Sequence, residues 1–170
     1  MATNASTGRS CGKCHLCCKI LIIPELEKPE NVWCAHCEIG KGCRIYPDRP
    51  AQCRDFNCRY IYDPSLGEEW NPIRSHMVLR TEGTLLVVQV DHQRPDAWKR
   101  EPYHAMLREF ARRLYPRGNQ IIVKIGARAV VVLPDRDVDM GICAPGDGFN
   151  CTSEFTPSGV RWNAVRVPRA

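Results

Sequence analysis

The sequence lacks any hydrophobic run long enough to cross a bilayer. Its longest runs, 85–88 and 129–133, fall far short of the roughly 20 residues that a spanning helix needs. It also lacks an apolar stretch behind Arg9, so the polar opening does not read as a secretory signal, and a cytoplasmic protein with no membrane association is expected. There is no internal repeat at solenoid periods and no low-complexity tract, which excludes a repeat array or a fibrous chain. A glycine-rich phosphate loop is missing too: the stretch 144–148 (Ala-Pro-Gly-Asp-Gly) has neither the lysine nor the strand-to-helix setting that such a loop requires. From Arg59 to Ile142 there is no cysteine at all.

In bulk the chain is ordinary. Its 170 residues are 44% hydrophobic and 25% charged, which suits one compact domain or a small cofactor-bound module fused to a slightly larger one. The net charge of +5 is a mild excess and weak support for a polyanion partner.

Eleven cysteines are the outlying feature. The number is odd, so any all-disulfide scheme leaves a thiol over. A reducing cytosol keeps thiols reduced, where a dense cysteine pattern marks metal binding or redox chemistry more often than disulfides. Nine of the eleven lie between Cys11 and Cys58, a stretch in which apolar residues are sparse and 21–23 is the only good short run. A segment of this size does not bury enough surface to offset its ordering entropy without metal, disulfides or a partner.

The first group is Cys11-Gly-Lys-Cys14-His-Leu-Cys17-Cys18. A Cys-x-x-Cys step turns two sulfurs onto one ion while backbone N–H groups of the turn point at the thiolates, and Gly12 eases the tight turn. Adjacent residues send their side chains in diverging directions, so Cys17 and Cys18 are not expected to ligate one tetrahedral ion together. The second group is Cys34-Ala-His-Cys37, then Cys43, Cys53 and Cys58. Nine thiols make two four-thiolate sites with one over, or one site with several structural thiols, and spacing alone does not choose between these.

These residues resemble a known family, the zinc- or iron-chelating proteins of the YkgJ type defined by Cys-x-x-Cys-x-x-Cys-Cys. The resemblance covers roughly residues 10 to 60 and rests on Cys11, Cys14, Cys17, Cys18, Cys34, the 42–46 stretch Gly-Cys-Arg-Ile-Tyr, Arg49, Pro50, Cys53, Phe56 and Cys58. It implies metal chelation by these cysteines and leaves the metal open. A similar motif occurs in flagellin lysine methylases, where an iron–sulfur cluster is implicated, but the methylase activity is not carried over. Cys143 and Cys151 lie outside the match.

Four thiolates suit Zn²⁺ and suit Fe–S clusters, whereas Mg²⁺ or Ca²⁺ would want oxygen ligands. Either thiolate unit is formally doubly negative, and Lys13, Lys19, Lys41, Arg44 and Arg54 are near enough in sequence to offset that charge, although solvated surface charge explains any one of them as well. Tyr46 and Phe56 flank the late cysteines and either shield the site or pack in a core. His15 and His36 sit inside cysteine motifs, but with nine thiols available they are left out of the ligand set.

The second part of the chain has regular patterns. The β-branched run 84–91 reads as a buried strand. Behind Pro102, the residues Tyr103, Met106, Leu107, Phe110 and Leu114 recur at helical spacing, and the helix stops at Pro116 and Gly118. The runs 120–125 and 129–133, separated by 126–128, read as a hairpin with a three-residue loop. The expected fold is therefore α+β: a small cysteine-rich metal-bound module (10–66) packed with a strand–helix–hairpin α/β sandwich (67–138), then a mostly irregular tail (139–170) with a short edge strand over 160–167.

Other chemistries fare worse. A redox dithiol motif usually opens a helix after a strand, whereas Cys11 follows a polar segment and is crowded by other thiols. No local signature pairs a cysteine nucleophile with His76, His92 or His104. Arg108, Arg112 and Arg113 share a polar helix face, which is expected to be solvated, so a nucleic-acid partner is not expected. The expected function is that of a cytoplasmic metal-binding protein, with a non-enzymatic role favoured over an enzymatic one, that chelates zinc or an iron–sulfur cluster through Cys11, Cys14, Cys17, Cys18, Cys34, Cys37, Cys43, Cys53 and Cys58. The alternatives are an Fe–S redox or enzyme-accessory protein and a zinc-stabilised module that binds nucleic acid or protein.

Overall fold

The computed structural model describes residues 7–56 and 58–169. The chain forms two compact units, the first comprising 1–80 and 89–97, the second 81–88 and 98–170. The fold is α+β, with helices and strands mixed in one chain.

Unit 1 is built from very short elements. They are α1 (Cys17–Ile20), the two-residue strands β1 (Cys37–Glu38) and β2 (Gly42–Cys43), α2 (Ala51–Asp55), α3 (Arg59–Tyr62) and α4 (Pro72–Ser75). None of these would persist alone in water, because a helical turn fixes several residues for one hydrogen bond. Side chains tie them together instead. Leu16, Ile20 and Val78 form a small apolar cluster, and Cys17, Leu21, Phe56 and Cys58 pack against it. Trp70, fully buried, and Leu66 extend the apolar interior.

Two cations staple this unit. Arg9 donates to the carbonyls of Tyr60 (3.0 Å), Asp63 (3.3 Å) and Leu66 (2.7 Å) and lies 4.5 Å over the Tyr60 ring. It thereby ties the stretch leading into Cys11 to the turn that follows Cys58. Lys19, 4% exposed, donates to both carboxylate oxygens of Asp91, itself 4% exposed, at 2.8 and 2.6 Å, and to Gln93 Oε1 at 2.7 Å. That pair anchors α1 to the 91–93 segment.

A β-hairpin follows, β3 (Met77–Glu82) and β4 (Leu85–Val90), and the boundary between the units runs through it. The strand expected over 84–91 is β4, buried from Leu86 to Val90. Strand β3 was not foreseen, because its apolar run is only three residues before Arg80. The division of the units consequently falls in this hairpin and not near residue 67.

Unit 2 has longer elements. Helix α5 (Tyr103–Leu114) buries Leu107 and Ala111 and leaves Tyr103, Met106, Phe110 and Leu114 half-buried, which is the expected stripe with its centre shifted toward Ala111. It contacts β5 (Gln120–Ile125) and β6 (Arg128–Val132), so the helix covers the hairpin as anticipated. Ile125 pairs with Arg128, which makes the connection a two-residue loop, with Gly126 at φ +57° where a side chain would be strained.

The C-terminal segment differs most from expectation. Strand β7 (Asp137–Ile142) pairs antiparallel with β6, and the sheet runs in the order β3-β4-β5-β6-β7. Strands β8 (Gly148–Thr156) and β9 (Gly159–Val167), nine residues each, form a separate hairpin with Thr156 opposite Gly159. The tail is thus mostly strand and not irregular. Its residues are largely exposed, and its alternation of apolar with polar side chains (Phe149, Cys151 and Phe155 against Asn150, Thr152 and Glu154) is masked by the turn residues on either side.

Candidate metal centre

One cavity in unit 1, about 310 Å³, is lined by five thiols: Cys11, Cys14, Cys17, Cys53 and Cys58. Each is placed by local backbone. Gly12, at φ +46°, allows a turn closed by the Cys14 N–H donating to the Cys11 carbonyl at 2.6 Å. Cys17 opens α1, Cys53 sits within α2 behind Pro50, and Cys58 caps α3.

Cys17 and Cys18 differ in what they face, although their thiols touch. Successive helical residues point about 100° apart, and Cys17 faces the cavity while Cys18 is not on its wall. The Cys18 thiol is nevertheless hydrogen-bonded to both Cys17 and Cys37, so it stands between the cavity and a second group. That group is Cys34, Cys37 and Cys43, in which Cys37 of β1 faces Cys43 of β2 across an antiparallel pair. Cys34 is the most buried cysteine, at 8% exposure.

Burial pushes the Cys58 thiol up to about 12, with the amides of Tyr60 and Ile61 pulling the other way and the Cys14 and Cys11 thiols adding to the rise. Cys37 is likewise raised to about 12, first by burial and then by the Cys18 and Cys34 thiols. Burial also raises Cys11, Cys14, Cys43 and Cys53, and Cys18 is raised first by its hydrogen bond to Cys17 and then by burial. Backbone amides are aimed at several sulfurs: those of Leu16 and Ile73 at Cys14, and that of Ile45 at Cys43. Amide-to-sulfur hydrogen bonds favour the thiolate, whereas burial and crowding of like charges favour the thiol.

The rest of the cavity wall is aromatic and basic. Tyr46, Phe56, Tyr60 and Tyr62 contribute rings, so the pair expected to shield the site does line it. Arg49 also lines it, lies 3.7 Å over the Tyr46 ring, donates to the Tyr46 carbonyl at 2.9 Å and lowers the Cys11 and Cys43 thiols through its charge. Arg54 is on the wall too and donates to the Arg49 carbonyl.

The other residues singled out by spacing are engaged elsewhere. Lys19 is spent on Asp91, Lys41 pairs with Glu38, and Arg44 donates to the Ala35 carbonyl. His15 contacts the Lys13 carbonyl at 2.6 Å and stacks tilted on Trp33, and His36 offers its carbonyl to the Arg44 N–H. In unit 2, the Cys151 sulfur lies 3.8 Å from the Tyr115 hydroxyl and that of Cys143 lies near the Met140 and Gly141 carbonyls. Arg108 pairs with Asp137, and Arg112 and Arg113 with Glu109.

Sequence reasoning missed Arg9, Lys28 and Asp91. The signal for Asp91 and Lys28 appears only after folding, since each is a charged residue that the fold buries. Among the described residues, no three His, Cys, Asp or Glu side chains stand in a geometry that would hold a metal ion, and no helix is long and apolar enough to cross a membrane. No family model, curated protein or solved structure matches the chain.

Proposed function

We propose that this chain is a cytoplasmic metalloprotein that holds a soft-metal centre on cysteine thiolates in the unit 1 cavity, and that an iron–sulfur cluster suits that cavity better than a single zinc ion. The observation that carries this reading is the convergence of five thiols, drawn from three separate stretches of chain, on one space of about 310 Å³. A lone zinc sits about 2.3 Å from each of four sulfurs and needs no space beyond them, whereas a cluster brings its own iron and sulfide. The donor set fits: thiolates are the ligands of choice for both options, and hard cations are disfavoured by the lack of carboxylates on the wall. Rings that exclude water suit a redox cluster, and Arg49 and Arg54 offset the negative charge of a four-thiolate centre. The resemblance of the cysteine spacing to that of YkgJ-type chelating proteins supports a thiolate-held metal and leaves its identity open. When bound, such a centre supplies structural cross-linking and, for iron and sulfide, one-electron transfer to a protein partner.

Anaerobic purification followed by iron, sulfide and zinc analysis and visible absorption tests this. The expected result is a brown protein with iron and sulfide in equal amounts, and loss of both in Cys14→Ser/Cys58→Ser. Colourless protein that carries zinc at the cavity thiols would establish the zinc reading instead. Protein that takes up neither metal after anaerobic reconstitution would overturn the assignment.

A further inference from the structure

Strands β8 and β9 make a two-stranded sheet of their own, and a lone hairpin is marginal in water unless a face is covered. Opposite residues in an antiparallel pair share a face, so Phe149, Cys151 and Phe155 of β8 lie on one side with Ala164, Trp162 and Val160 of β9. Within unit 2 the base of that side is covered. The Trp162 and Tyr115 rings meet edge to face at 5.1 Å, the Cys151 sulfur lies 3.8 Å from the Tyr115 hydroxyl, and Ala164 is buried. The tip is bare: Phe155 is 92% exposed, and Val160, directly opposite, is 43% exposed.

The outer edge of β8 is open as well. Among the described residues, β8 pairs with β9 alone, and no backbone group of 149–155 bonds outside the hairpin. The two-residue loop Pro157-Ser158 makes Thr156 and Gly159 the hydrogen-bonded pair that closes the turn. Backbone groups alternate in side along a strand, so those of Phe149, Cys151, Ser153 and Phe155 point away from β9. Open edges are ordinarily blunted by charge, proline, a bulge or short length. Strand β7, at the end of the five-stranded sheet, carries such devices: Asp137, Asp139, Gly141 at φ +67° and a register shift against β6. Over nine residues β8 has only the single charge of Glu154.

About its midpoint, Thr152, β8 is its own complement. Antiparallel pairing with β8 of a second copy, centred there, sets Phe149 opposite Phe155, Cys151 opposite Ser153 and Asn150 opposite Glu154 of the other copy. Every outward-pointing backbone group then meets another of the same kind. The bare Phe155 ring gains an aromatic neighbour directly across, and the two Glu154 carboxylates stay apart. Centring on Glu154 would set those like charges face to face, and centring on Asn150 would leave Phe155 beyond the pairing.

We propose that β8 is a homodimerisation edge: two copies of the chain pair β8 to β8 about Thr152 and join their hairpins into one four-stranded sheet. The far side of β9 is engaged by Arg166, which donates to the Ile142 carbonyl at 2.6 Å, so the sheet closes as a dimer and does not propagate. A nine-residue edge is small beside the about 1,200–2,000 Å² of a stable interface, which makes this a micromolar dimer. The pairing needs no metal in unit 1.

Sedimentation velocity on the full chain, from about 1 μM to 1 mM with thiols kept reduced, is expected to show a reversible monomer–dimer equilibrium. Ser153→Pro removes an outward N–H and spares those that face β9, so it should abolish the dimer with near-ultraviolet circular dichroism unchanged. Phe155→Ser, at an exposed site, should raise the dimer Kd about tenfold and keeps the test open if Ser153→Pro disturbs the hairpin. The two copies of Thr152 would stand about 4.5 Å apart between Cα atoms, within disulfide range. Thr152→Cys with oxidised glutathione as electron acceptor should therefore give a covalent dimer linked at position 152, whereas Asn163→Cys on β9 should give no more than the wild type. A monomer at every concentration, a dimer indifferent to both β8 substitutions, or higher assemblies that grow with concentration each overturns the proposal.

Discussion

Unit 2 is built on a twelve-residue helix and strands of five to nine residues, whereas α1 to α4 of unit 1 run to four or five residues and β1 and β2 to two. The helix and β5–β6 of unit 2 carry apolar stripes that bury Leu107, Ile121, Val123 and Val131 completely. Elements of that length stabilise themselves once a face is covered. In unit 1 the stretch from Cys11 to Cys58 buries only Leu16, Ile20, Ile23 and Cys34 among its apolar residues, and order comes from Arg9, from the Lys19–Asp91 pair and, on the reading proposed above, from metal. The difference teaches that two halves of one chain can reach order by separate routes, one through apolar area and one through charged staples and thiolates.

Metal removal should break this comparison most sharply. Metal–thiolate bonds form only in the folded segment, so their free energy becomes folding free energy, on the order of 10 kcal/mol for structural zinc. Hydrogen exchange on metal-loaded and stripped protein should show residues 10–60 losing protection while β5, β6 and α5 keep theirs. Equal protection of the cysteine-rich segment in both samples would mean that the thiols are ordinary packing residues.

The Lys19–Asp91 pair comes next in size. Lys19→Met leaves the Asp91 carboxylate buried without its partner, and about 3–5 kcal/mol of unit 1 stability should be lost in urea unfolding. Lys19→Met/Asp91→Leu should recover much of it, since an apolar replacement of both charges removes the buried ion. The pair also sets a pH dependence. Burial works to raise the Asp91 carboxyl, but the Lys19 hydrogen bond, the Gln93 amide and the charges of Lys19 and His92 together hold it below its usual range. A depressed folded value means that the stabilisation is complete above the unfolded carboxyl range near about 4 and fades as pH falls through the folded value. Unit 1 should therefore lose stability in acid below about pH 4, and Asp91→Asn should flatten that limb; an identical acid profile in the variant would remove Asp91 from the account.

The smallest effect is expected in unit 2. Cys143→Ser/Cys151→Ser should leave metal content unchanged and shift stability by no more than about 0.5 kcal/mol, because the contacts of these thiols are weak and lie within unit 2. Loss of a metal equivalent in that variant would show that the division between the units does not separate their chemistry.

Much of this was legible before folding. The helical stripe around Leu107 and the hairpin 120–132 follow from periodicities that packing had only to cover. Strand β3 and the β8–β9 hairpin were not legible. The first has too short an apolar run, and the second alternates apolar with polar side chains but lies among glycine- and proline-rich turns and leaves Phe155, Val160, Val165 and Val167 exposed, so it does not read as the edge of a core. Lys28 and Asp91 read as surface charge because charged residues are seldom buried, and only the fold puts them inside.

Along the chain, the Cys-x-x-Cys steps and the glycine at position 12 determined that thiols would gather in the first sixty residues. The tertiary structure decided which distant thiols share a space. Cys53 and Cys58 meet Cys11, Cys14 and Cys17 because Arg9 ties the approach to Cys11 onto the turn after α3, while Cys43 meets Cys37 because two glycines let the chain fold back within five residues. Local spacing governs neighbours within a turn, but partners separated by 36 to 47 residues are chosen by loop closure, and its cost is met by contacts that lie outside the motif itself.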